Sequence, residues 1–90
     1  VKLTSDEIKT RLTNGQVLNI KYVRINDEFR YGLADGPFEH KDLVENETPT
    51  SAGFFTICKG FFCLHGLPST SLRLGPSPED EIFLKSIFQP

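Results

Sequence analysis

Apolar positions along the chain follow two periods, and the change from one to the other marks out the elements. Near the N-terminus Ile8 and Leu12 stand four apart among charged neighbours, the spacing of a helix face. Thr4 and Glu7 are spaced as a capping box, Leu3 and Ile8 as a hydrophobic staple, and Asn14-Gly15 supplies a left-handed stop. The pattern predicts a short helix over residues 5–13 whose narrow apolar stripe lies on the rim of something larger.

From Val17 the period drops to two. Residues 17–25 and 29–34 both read as strands, joined at Asn26-Asp27, two residues that tolerate positive φ. A two-residue loop sets Tyr22 opposite Tyr31 and Ile20 opposite Leu33. Leu18, Ile20, Tyr22, Phe29, Tyr31 and Leu33 then share one face, whereas one extra loop residue would scatter them. Asn19, Lys21, Val23, Arg30 and Gly32 fall on the other face, which is expected to be solvated. Val23 and Ile25 break the alternation and imply a bulge or cover from another element.

Asp35-Gly36-Pro37 closes that strand. Residues 38–44 fit neither period and read as a short helical turn or irregular edge, and residues 45–53 as a polar loop. A second hairpin follows, residues 54–58 and 61–65 about Lys59-Gly60, with Ile57 opposite Phe62 and Phe55 opposite Leu64. Its reverse face holds Phe54, Thr56, Cys58, Phe61, Cys63 and His65. Residues 70–74 read as a short last strand.

The C-terminal segment predicts a helix. Ser77 is the N-cap, Pro78 sits at N1, and Glu79, Asp80 and Glu81 place negative charge at the positive end of the dipole. Phe83, Leu84, Ile87 and Phe88 span an arc of about 140° that should pack on the sheet. The expected fold is an α+β domain over residues 1–90. It has an N-terminal and a C-terminal helix around a small antiparallel sheet of about five short strands, strongly bent or SH3-like.

Composition narrows the class without naming a task. The chain has 90 residues, ten Lys and Arg against twelve Asp and Glu, eight Phe and no Trp. That length suits one domain able to fold without metal or disulfides. The near-balanced charge argues against a strongly basic nucleic-acid binder. It is unevenly spread, however, at +2 over residues 1–34 and −4 over residues 35–47. No apolar run approaches a membrane span, no signal-peptide pattern is present, and two cysteines are too few for a secreted disulfide framework. The expected setting is the cytoplasm, with reduced thiols and no membrane partner.

Several constellations could carry chemistry. Cys58, Cys63 and His65 share a face and are ligand types suited to zinc, but a structural site needs four ligands and His40 has no fixed place. The same residues fall short of a nucleophile and base, because no acid is placed to orient His65. Asp35, Glu39, Asp42, Glu45 and Glu47 around His40 read as a solvated charged loop, and Asn46-Glu47-Thr48 as an incidental sequon. No cofactor is expected, and no catalytic residue. Arg11, Lys21, Arg24 and Arg30 could form a basic face for nucleic acid or another anionic ligand, although no aromatic is interleaved for base stacking. Phe54 and Phe61, left uncovered on the second hairpin, would make a sticky patch. The preferred expectation is a non-enzymatic interaction module, an adaptor or small inhibitor. It would bind a protein partner, or a second copy as a homodimer, through a sheet face or edge.

Overall fold

In the computed structural model, which describes residues 2–36 and 39–89, Leu3 ends a two-residue strand β1 (Lys2–Leu3) and leads into α1 (Ser5–Thr13). The Thr4 hydroxyl accepts from the Glu7 amide at 3.1 Å, and the Glu7 carboxylate accepts from the Thr4 amide at 3.2 Å. Gly15, at φ +82°, stops the helix. Only Ile8 and Leu12 of α1 are buried.

The first hairpin is β2 (Leu18–Ile25) and β3 (Glu28–Leu33), with Tyr22 opposite Tyr31, Ile20 opposite Leu33 and Asn26 at φ +57°. The second is β4 (Ser51–Cys58) and β5 (Phe61–His65), with Ile57 opposite Phe62 and Phe55 opposite Leu64. All pairings are antiparallel, in the order β1-β3-β2-β4-β5, so β2 is central and β1 and β5 are the edges. The last element is α2 (Pro78–Phe88). The architecture is thus α+β, a five-stranded antiparallel sheet with an N-terminal and a C-terminal helix.

Both helices lie on one side. Ile8 and Leu12 of α1 and Leu84 and Phe88 of α2 join Leu18, Ile20, Tyr22, Tyr31, Phe55 and Ile57 in the main core. Phe83, expected within the core arc, instead stands at its margin. It is exposed, with the Arg24 guanidinium 5.0 Å above its ring and Phe29 at 6.5 Å.

The reverse side differs from a solvated face. Val23, Ile25 and Ala52 are buried there with Leu43, and Val44, Leu72 and Leu74 pack around them. Cover comes from a 3-10 turn, His40–Leu43, and from the segment after β5. This resolves the broken alternation at Val23 and Ile25 as cover. Pro37 and Phe38, the start of the region read as a turn or edge, lie outside the described residues.

Three boundaries need correcting. Residues 70–74 do not form a strand. The segment folds back through a lone bridge, Ser69 to Leu74, with Arg73 at φ +57°. The alternation of Leu72 and Leu74 reflects packing onto β2 and β4. In its place, the fifth strand is β1, too short to show any period. Finally, β4 begins at Ser51, taking in the last three residues of the expected loop. Space is short at Gly53, where a Cβ would lie 3.2 Å from the Tyr22 ring and 3.3 Å from Pro76.

Candidate functional site

The reverse face of the second hairpin is built in three cross-strand rows: Phe54 with His65, Thr56 with Cys63, and Cys58 with Phe61. Phe54 and Phe61 therefore stand at opposite ends, about 13 Å apart along the strand. They do not form one joined patch. Phe54 is half-buried against the edge-on His40 ring at 4.7 Å, while Phe61 is 50% exposed. His40 itself is buried, with Nε2 2.9 Å from the Gly53 carbonyl oxygen, to which it donates. Burial pushes its pKa down, the Gly53 carbonyl resists that shift, and the Lys21 charge adds to it.

Between the two rings the Thr56 hydroxyl lies 2.7 Å from Asn19 Oδ1 and 2.7 Å from His65 Nε2. Its single proton goes to Asn19, so His65 Nε2 donates to it in turn. Cys58 and Cys63 are free, half-buried thiols in diagonal positions. Among the described residues no three His, Cys, Asp or Glu side chains are grouped to hold a metal. The acidic segment is divided among partners: Glu45 pairs with Lys2, Glu47 with Arg30, and Glu39 with Lys41.

The four cations do not share a surface. Arg11 is on α1, Lys21 and Arg30 lie on the reverse face, and Arg24 points to the helix face. Arg30 is held by Glu47, Glu28 and the Leu43 carbonyl. Arg24 donates to Asp80 and Glu79, both at 3.3 Å, and to the Asn26 carbonyl at 2.8 Å. Arg24 and Arg30 thus spend their donors inside the fold.

Asp80 is the hub of that second set. It is fully buried and accepts from the Tyr22 hydroxyl at 2.7 Å, the Ser51 hydroxyl at 2.7 Å and the Ser77 amide at 2.9 Å. Burial, reinforced by Asp80, raises the Tyr22 pKa far above its usual value and keeps the phenol a donor. Every buried polar side-chain atom among the described residues has a partner. Asp80, Tyr22 and Ser51 are all buried, and the cluster fixes the start of α2 on β2 and β4. Its sequence signal was the Ser77–Asp80 spacing alone, since Tyr22 and Ser51 are distant in the chain.

The two edges of the sheet offer a different kind of surface. At one side, β1 ends after two residues, leaving a hollow of about 600 Å³ beside Glu28, Phe29 and Arg30. Lys2, Glu45, Glu28 and Arg30 guard it with charge. At the other side, β5 reads Phe-Phe-Cys-Leu-His. It has no lysine, carboxylate or proline, and among the described residues its backbone pairs only with β4. Phe62 and Leu64 are half-buried against the main core, and Phe61, Cys63 and His65 face the reverse side. Sequence reasoning reached this strand but not its place at an edge, which depends on the order of all five.

Among the described residues, no helix is long and apolar enough to cross a membrane. Comparison of the chain with family models, curated proteins and solved structures finds no match in any of the three.

Proposed function

We propose that this chain is a non-enzymatic interaction module that docks an extended polypeptide segment along the open edge of β5, acting as an adaptor or small inhibitor. The observation that carries this reading is that, among the described residues, β5 pairs with β4 alone, in a strand without edge-blocking charge or proline. An added strand would satisfy outward-facing backbone groups, each bond contributing roughly 0.5–1.5 kcal/mol net. Its alternate side chains would meet Phe62 and Leu64 on one face and Phe61, Cys63 and His65 on the other. Free half-buried thiols fit a reducing compartment such as the cytoplasm.

Extended peptides selected from a random library against the whole chain test this. Phe61→Asp should weaken them at least about tenfold while the melting temperature stays within a few degrees, because Phe61 is 50% exposed. Unchanged affinity, or loss of the fold, would remove the basis for the reading.

A further inference from the structure

We infer that β5 also accepts β5 of a second copy, antiparallel about a two-fold axis through Cys63. The inference rests on the edge-docking reading and specifies one occupant of that edge. The strand has five residues, and Cys63 is its centre. Antiparallel pairing about that centre sets Cys63 opposite its counterpart, Phe62 opposite Leu64 and Phe61 opposite His65, each pair occurring twice. Every pair joins residues of the same face. A one-residue slip would set Phe62 and Leu64 against reverse-face residues, and a two-residue slip would lose two of the five pairs.

Charge and packing favour the same partner. No Lys, Arg, Asp or Glu lies within β5, so no like charges oppose each other. Lys59, just outside it, falls at opposite ends of the paired strands, about 26 Å from its counterpart. Parallel pairing would set the two Lys59 side by side. Phe62 and Leu64 are half-buried at the margin of the main core, and their dyad mates would extend that core across the junction. A five-residue contact falls below the roughly 1,200 Å² of a stable interface, so the dimer is weak and concentration-dependent. It covers the same edge as the extended segment, and the two therefore compete.

Sedimentation equilibrium and cross-linking with a short bismaleimide, on the full chain, test the dyad. The native chain and Cys58→Ser should cross-link with a yield that rises with concentration, and Cys63→Ser should not. Cys58, one strand further in, is more than about 14 Å from its counterpart. In sedimentation Cys63→Ser should still dimerise, whereas Cys63→Lys should weaken the dimer at least about tenfold by opposing two charges. Circular dichroism confirms that each variant is folded. Cross-linking that survives in Cys63→Ser, or a native chain that stays monomeric at millimolar concentration, overturns the dyad. If selected peptides still bind β5 in that monomer, edge docking stands without self-pairing. If they do not, both readings fail.

Discussion

The Asp80 carboxylate accepts from Tyr22, Ser51 and the Ser77 amide within the protein, so removing it leaves two hydroxyls without an acceptor. Unpaired buried hydroxyls cost about 1–3 kcal/mol each. Asp80→Ala should therefore lower stability by about 3 kcal/mol, and Tyr22→Phe, which removes one bond and keeps the ring, by about 1 kcal/mol. Urea denaturation measures both; a loss below about 1 kcal/mol for Asp80→Ala would show the cluster to be incidental. His40 predicts a pH dependence. Its folded pKa lies below its ordinary 6.5, so the unfolded chain binds the proton first as pH falls. Its contribution is intact above pH 6.5 and is lost as pH falls from there through the folded pKa. The neighbours that bear on it are Lys21, the Gly53 carbonyl and the Phe54 ring. Urea midpoints at pH 7.5 and 5.5 should differ in the native chain and differ less in His40→Gln. Neither role was legible from the residue types, because each depends on a partner brought in by the fold.

At the scale of elements, local signals were strong wherever the turn and the period agreed. The Asn26 and Gly60 turns and the clustering of apolar residues on one face set both hairpin registers from local information alone. The helix caps at Thr4 and Ser77 were legible for the same reason. Signals failed where packing across the sheet wrote the pattern. Leu72 and Leu74 alternate like a strand but serve as cover, and Ser51-Ala52-Gly53 reads like a loop yet forms a strand under the crowding of Tyr22 and Pro76. Gly53→Ala tests that crowding. A methyl at 3.2–3.3 Å from two packed rings should cost about 1–3 kcal/mol, seen as a lower melting temperature. An unchanged or raised melting temperature would mean that the site has room.

For the molecule as a whole, the path of the chain decides the functional surface. The radius of gyration, 12.0 Å, matches the roughly 12 Å expected of a compact chain this long. Two helices cover one side of the sheet, and the 3-10 turn with the segment after β5 covers part of the other. Phe54 is drawn beneath His40, leaving Phe61 at the far end, on the open strand β5 itself. Both rings are legible in the sequence, but a face and an edge look alike there, because the β1-β3-β2-β4-β5 order comes from the β2–β4 contact between hairpins. Hydrogen exchange read residue by residue, with the chain dilute and then saturated with a selected extended peptide, tests the open edge most directly. Alternate β5 amides should exchange fast in the dilute chain and become protected on binding, while the central β2 amides stay protected throughout. Peptide-induced protection at Glu28–Arg30 or on α2, with β5 unchanged, would contradict it.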